Sequence, residues 1–101
     1  MDPVKRITEM ERILNDHEDL IENLRDAIEK FEKHQGEYQK LSDYYSSEVY
    51  FDDLKRYDKG ELPKNLPCGV LSEDAVFDLF GDNFNVAIEM LELATNILKN
   101  H

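Results

Sequence analysis

The sequence predicts an all-α protein, a four- or five-helix bundle with a long N-terminal helix and a long loop before the C-terminal helices. Three observations carry this prediction. Apolar residues alternate at spacings of three and four along the first third of the chain, a segment with prolines and glycines follows, and apolar stripes with helical spacing return at the end. With 101 residues, the chain has the length of a single helical domain, residues 1–101.

The first third of the chain is predicted to be a long amphipathic helix. Pro3 suits its first turn, whereas Gly36 is expected to kink or break it, with a short helix following from Glu37 to about Tyr45. A second apolar row runs beside the main seam, and three apolar positions per heptad favour a helical bundle over a two-stranded zipper. The main row, at the a and d positions of a heptad pattern, is Ile7, Met10, Leu14, His17, Ile21, Leu24, Ile28, Phe31, Gln35 and Tyr38. The second row, at the g positions, is Ile13, Leu20, Ala27 and Leu41.

A second helix is predicted over about residues 48–58. Ser46 and Ser47 are candidate N-caps, because their hydroxyl groups can accept hydrogen bonds from the first free backbone amides. Gly60 can end the helix in the left-handed conformation that glycine adopts readily. Residues 60–71 contain two prolines and two glycines and are therefore expected to form a loop.

Two further helices are predicted at the C-terminal end. Ser72 is the expected N-cap of a short helix that Gly81 ends. Asp82 or Asn83 then starts a helix that runs to about Lys99. The last helix carries two apolar stripes, so it is either central in a bundle or covered by another chain. The stripes are Phe84, Ala87, Ile88, Leu91, Ala94 and Leu98, and Val86, Met90, Leu93 and Ile97.

Charge and composition restrict the kinds of partner. The chain has 23 acidic and 12 basic residues, a formal net charge of −11, so direct binding to nucleic acid or to an acidic membrane surface is not expected. Apolar runs are only a few residues long and the N-terminus lacks an apolar signal core, so neither a membrane span nor a secretory signal is expected. Cys68 is the only cysteine, which excludes an intrachain disulfide and suits a cytoplasmic location.

Three central motifs together resemble a known family. They lie at residues 44–53, 60–63 and 69–75, and the most specific is the Gly-Val-Leu-Ser-Glu-Asp stretch that begins at Gly69. With the Tyr-Tyr pair at Tyr44 and Tyr45, they resemble a small bacterial family of uncharacterised all-helical proteins, a domain-of-unknown-function family. The resemblance covers nearly the whole chain. It implies an all-helical fold with a long N-terminal helix, and it implies no known activity.

No catalytic, cofactor-binding or metal-binding residues are predicted, and the protein is not expected to be an enzyme. The helical neighbours of His17 include no carboxylate and no second histidine, so His17 is interpreted as a polar seam residue that helps to set the helix register. The paired cysteine and histidine spacings of zinc sites do not occur in the sequence. Ser72 has no nearby histidine to activate it as a nucleophile, and no Lys, Arg or His adjoins Cys68 to activate its thiol.

Two zones of the chain contain carboxylates but no lysine or arginine, residues 13–24 and 71–98. All five tyrosines lie between them, where their rings either fill a structural junction or form a recognition patch. These features define the candidate interaction residues. They are Asp16, Glu18, Asp19, Glu22, Tyr45, Tyr50, Asp53, Glu73, Asp74 and Asp78.

The expected function is that of a small acidic cytoplasmic protein that acts without catalysis, through contacts with other proteins. The long seam and the two-striped helix favour a homodimer as one form of that contact. The alternative is an acidic mimic of nucleic acid that occupies the groove of a basic nucleic-acid-binding protein. Inhibitors of RNA-guided nucleases that are carried by phages and mobile elements act in this way as a class.

Overall fold

The computed structural model describes residues 2–72 and 74–101, and all regular structure in them is helical. Helix α1 spans Pro3–Tyr45, α2 spans Glu48–Asp58 and α3 spans Ala75–Lys99, with a short 3₁₀ turn at Gly69–Leu71 before α3. The prediction of an all-helical protein is confirmed. The prediction of four or five helices is wrong, because the described residues form three α-helices and the two breaks expected at glycines do not occur.

Helix α1 continues through Gly36 to Tyr45 without the predicted break. A glycine inside a helix costs only about 1 kcal/mol relative to alanine. A break would leave up to four backbone groups without partners on each side of it. The cost of Gly36 inside the helix is smaller than the cost of two new helix ends, so α1 continues.

Helix α3 likewise continues through Gly81, where the sequence predicts an end and a restart. Among the described residues, Gly60 is the only glycine with a positive φ, so Gly81 keeps a right-handed backbone. A glycine ends a helix by adopting the left-handed conformation, and Gly81 does not adopt it. The predicted start is also displaced. Although the Ser72 hydroxyl accepts a hydrogen bond from the Ala75 amide at 3.3 Å, α3 begins at Ala75, and the capping position belongs to Asp74.

Helix α2 has the predicted bounds, and both of its ends follow the expected chemistry. The Ser47 hydroxyl accepts a hydrogen bond from the Tyr50 amide at 3.4 Å. Gly60 has a φ of 72°, and its amide donates to the Tyr57 carbonyl, while the Glu61 amide donates to the Arg56 carbonyl. These two bonds form a Schellman motif, which satisfies the last carbonyl groups of the helix.

The chain divides into two compact units, Met1–Ser42 and Asp43–His101. The first consists of the greater part of α1, a helix without buried residues. The second contains the last turn of α1 with α2, the 3₁₀ turn and α3. Its buried apolar residues are Tyr50, Leu71 and Val76, which are 7%, 7% and 3% exposed and are called the turn core below. The 3₁₀ turn contacts both α2 and α3, so it joins these helices within the second unit.

Candidate functional site

An aromatic cluster, formed by Tyr44, Tyr45, Tyr50, Phe51 and Phe80, lies within the second unit. The Tyr50 ring is its centre, with ring centroids 5.6 Å from Tyr44, 5.0 Å from Tyr45 and 5.8 Å from Phe51. Tyr45 also meets Phe80 edge to face at 5.4 Å, which links the end of α1 to α3. Edge-to-face pairs of this kind stabilise a fold beyond the area they bury. Tyr50 is buried, and Tyr45 is half-buried.

A polar contact joins Tyr44, at the end of α1, to Asp53 of α2. The Tyr44 hydroxyl donates to the Asp53 carboxylate at 2.7 Å, and both residues are half-buried. Burial, the hydrogen bond to Asp53 and the negative charge of its carboxylate together raise the pKa of Tyr44 to about 12, and burial contributes most. Tyr44 therefore keeps its proton and acts as a hydrogen-bond donor at neutral pH. This is a structural use of the two side chains.

Two concave regions lie beside the cluster in the loop that precedes α3. One, of about 250 Å³, is lined by Tyr44, Asp53, Cys68 and apolar loop residues. The other, of about 630 Å³, is lined by Tyr57, Lys64, Cys68 and other residues of the loop. The Cys68 thiol donates a hydrogen bond to the Leu66 carbonyl at 3.3 Å. Within residues 2–72 and 74–101, no group of three or more His, Cys, Asp or Glu side chains could hold a metal ion.

The acidic candidate residues of α1 all lie exposed to solvent. Asp16 pairs with Arg12 at 3.1 Å one helical turn away. Asp16, Glu18, Asp19 and Glu22 occupy heptad positions outside the a/d seam, and Glu18 lies directly beside it. None of the last three forms an ion pair with another described residue. The structure thus leaves an uncompensated acidic surface on the N-terminal half of α1.

The other candidate residues fall into two groups. Tyr45, Tyr50 and Asp53 are brought together in or beside the aromatic cluster. Asp74 and Asp78 are exposed at the start of α3, where the Asp78 amide donates to the Asp74 carbonyl at 2.8 Å. Glu73 lies outside the described residues. The acidic groups at the start of α3 suit the positive end of the helix dipole, which gives them a structural role as well.

The a/d row of α1 is exposed along most of its length. The name α1 seam is used below for its members from Ile7 to Gln35. His17 is exposed and Gln35 is half-buried, with its side-chain amide 3.5 Å from the Phe31 carbonyl. The seven apolar members are 41–60% exposed. They are Ile7, Met10, Leu14, Ile21, Leu24, Ile28 and Phe31.

Helix α3 carries the most exposed large apolar side chains of its unit. Phe77, Phe84, Leu91 and Leu98 recur every seven residues and are 65–77% exposed. They are called the α3 stripe below. Seven residues are nearly two helical turns, so the four side chains lie in one line along the helix. The candidate residues chosen from the sequence omit this line, although its seven-residue spacing is visible in the sequence.

Helix hydropathy gives no membrane-spanning candidate. None of the helices in the described part of the chain combines the length and the apolar composition that crossing a bilayer requires. The exposed apolar residues of α1 recur with charged residues between them, as on a helix that is covered on one side.

Comparison with known proteins identifies a family and no activity. No curated protein matches the sequence. A family model described as a domain of unknown function, DUF4298, matches residues 7–93. The match includes nearly all of α1, the aromatic cluster, the loop and most of α3. It also agrees with the resemblance to an uncharacterised all-helical family. The chain therefore belongs to the DUF4298 family.

Proposed function

We propose that this protein is a non-catalytic interaction module, and that a second copy of the chain is its first partner. One observation carries the proposal: the α3 stripe places four large apolar side chains, each about two-thirds exposed or more, in one line on a strongly charged protein. Single exposed apolar residues are ordinary, but a contiguous line of them marks a surface that another protein covers.

The energetics of the α3 stripe are of the right size for association. Covering the exposed part of one such Phe or Leu side chain contributes about 1–2 kcal/mol. Two copies bring eight of these side chains to a shared interface, and association itself costs about 4–15 kcal/mol. Two carboxylates of α3, Asp82 and Glu89, lie on the side of the helix opposite to the stripe, which keeps them away from the contact.

The proposal is tested by removing the apolar character of the α3 stripe. The double variant Phe84→Gln and Leu91→Gln is expected to weaken self-association at least about 100-fold, because it removes four apolar side chains from each dimer. The matched control is Glu89→Gln, which changes the opposite side of the same helix and is expected to leave association intact. Sedimentation equilibrium measures the mass, and circular dichroism checks that both variants keep their helix content. Equal weakening by the control would count against the α3 stripe.

The acidic surface of α1 supports a second candidate function, a mimic of nucleic acid that blocks a basic protein. The supporting observation is that Glu18, Asp19 and Glu22 are exposed and without ion pairs among the described residues. An uncompensated row of carboxylates attracts a basic groove, and salt screens that attraction. For both candidate functions, we propose that the protein acts in the cytoplasm and without enzymatic activity.

An RNA-guided nuclease supplies a direct test of the mimic. The chain is expected to slow DNA cleavage at low salt and to lose this effect at high salt. Reversal of the four carboxylates Asp16, Glu18, Asp19 and Glu22 to Lys is expected to abolish the inhibition. The control reverses four carboxylates in the charge-balanced half of α1, namely Asp26, Glu29, Glu32 and Glu37. Inhibition that survives the first reversal, or that does not depend on salt, would contradict the mimic.

A further inference from the structure

Three features of α1 select one occupant, one direction and one register. We infer that α1 pairs with α1 of a second copy in the antiparallel direction, with His17 of each chain opposite Gln35 of the other. This inference rests on the proposed self-association and adds to the α3 stripe a second contact surface, with a direction and a register.

Charge favours the antiparallel direction. Residues 9–22 contain six acidic residues and one basic residue, a net charge of −5, whereas residues 30–43 contain three of each. A parallel pair would place the two acidic segments side by side. In the antiparallel pair each acidic segment faces the neutral segment of the other chain. The centres of the two acidic segments then lie about 30 Å apart. That separation is about three Debye lengths at 0.1 M salt, so their repulsion is largely screened.

The residues that flank the seam favour the same direction. Three of the four g positions beside the seam are apolar, namely Ile13, Leu20 and Ala27, and the fourth is a histidine, whereas the e positions on the other side are charged and include Glu18 and Arg25. In a parallel pair, g residues of one helix meet e residues of the other, so apolar side chains would face charged ones. In an antiparallel pair, the g residues of one helix lie beside the g residues of the other, and the e residues lie beside the e residues. The antiparallel pair therefore covers the apolar flank with apolar groups.

The two polar members of the seam select the register. With His17 opposite Gln35, the neighbouring layers place Ile21 opposite Phe31 and Leu24 opposite Ile28. A shift by one heptad in one direction would place His17 opposite Ile28, and a shift in the other direction would place Gln35 opposite Leu24. In either case a polar side chain would face an apolar one and would lack a hydrogen-bond partner. Single polar residues in a seam are known to select register at a cost in stability. The long 3.5 Å contact of Gln35 with the Phe31 carbonyl leaves its amide available to a new partner.

Disulfide trapping tests the direction and the register. In a Cys68→Ser background, one chain carries His17→Cys and a second chain, distinguishable by mass, carries Gln35→Cys. Opposed seam positions lie within the Cα separation that a disulfide allows. Mild oxidation of the mixture is expected to give the mixed disulfide well above the half that random pairing would produce. The register control mixes His17→Cys with Ile28→Cys and is expected to give little mixed product.

The possible results separate this inference from the proposed function. Homotypic His17→Cys dimers would establish a parallel pair, and efficient trapping with Ile28→Cys would establish another register; either result overturns the inference. A dimer that yields no enriched disulfide overturns the inference but leaves self-association through the α3 stripe. A mass of one chain overturns both. If the cysteine variants lose their helix content, Leu24→Glu replaces them. This variant is expected to weaken the dimer at least 100-fold more than Asn23→Glu, a change at the neighbouring residue outside the seam. Equal effects of the two variants overturn the inference.

Discussion

Val76 and Phe77 are adjacent in α3, yet Val76 is 3% exposed and Phe77 is 67% exposed. Val76 belongs to the turn core, where the 3₁₀ turn joins α2 and α3. Phe77 begins the α3 stripe, which continues to Leu98 on another side of the same helix. Both regions are apolar, but the turn core is covered by the chain itself. The comparison indicates that the turn core stabilises the second unit, whereas the α3 stripe is available for a partner.

The largest expected effect separates two aromatic neighbours in α2. Tyr50→Ala removes the buried centre of the aromatic cluster and is expected to lower the free energy of unfolding by about 3 kcal/mol. Phe51→Ala truncates an exposed ring and is expected to cost less than about 1 kcal/mol. Urea denaturation of both variants measures the difference. Equal losses would mean that burial in the turn core does not distinguish the two positions.

The next effect concerns the polar contact at the edge of the turn core. Tyr44→Phe keeps the ring but removes the hydroxyl that donates to Asp53, and it is expected to cost about 1.5 kcal/mol at neutral pH because the acceptor is charged. Denaturant titration of the variant measures this loss. The matched control is Tyr57→Phe, whose exposed side chain lies at the other end of α2. A neutral result for Tyr44→Phe would show that water replaces this hydrogen bond without cost.

The same tyrosine gives the stability a pH dependence. The folded-state pKa of Tyr44 is about 12, whereas the ordinary tyrosine pKa is about 10. As the pH rises past 10, the unfolded chain therefore loses this proton before the folded chain does. The contribution of Tyr44 is complete below pH 10 and is lost as the pH rises through about 12. Urea titrations at pH 9 and pH 11 are expected to show a smaller loss of stability in Tyr44→Phe than in the native chain, and equal losses would contradict this assignment.

The smallest expected effect comes from the glycines at which the sequence predicts helix ends. Gly36 and Gly81 are helical, and an added Cβ would meet no atom within 4 Å at either position. Each Gly→Ala change is therefore expected to raise the thermal stability, by about 0.5–1 kcal/mol. Gly60→Ala is expected to lower it by about 1 kcal/mol, because Gly60 has a φ of 72°. Destabilisation by Gly36→Ala would indicate that α1 does bend at that residue.

These glycines show what local sequence can predict. The ends of α2 depend on short-range hydrogen bonds of Ser47 and Gly60, which the sequence specifies, so both were predictable. At Gly36 and Gly81 the helix continues or ends according to a small difference in free energy. The two terms are the cost of a glycine inside a helix and the cost of two new helix ends, and the apolar spacing does not show which is larger. The residues of the turn core come from α2, the 3₁₀ turn and α3, and which of many apolar residues meet there depends on tertiary packing.

The candidate residues divide in the same way. The exposure of Asp16, Glu18, Asp19 and Glu22 follows from their place outside the seam, and the sequence is sufficient for it. The hydrogen bond between Tyr44 and Asp53 joins two helices, so it could not be read from either segment alone. The seven-residue spacing of the α3 stripe is visible in the sequence and predicts an apolar face that is covered. The spacing does not tell whether the same chain or a partner covers that face.

The mass of the native chain in solution tests whether this protein pairs with a second copy of itself. Sedimentation equilibrium at micromolar concentration and physiological salt requires no variant and no assumption about the interface. If the exposed apolar faces of α1 and α3 are interaction surfaces for a second copy, the measured mass is twice the 11.9 kDa of one chain. A mass of 11.9 kDa across the micromolar range, with native helix content, would contradict the claim.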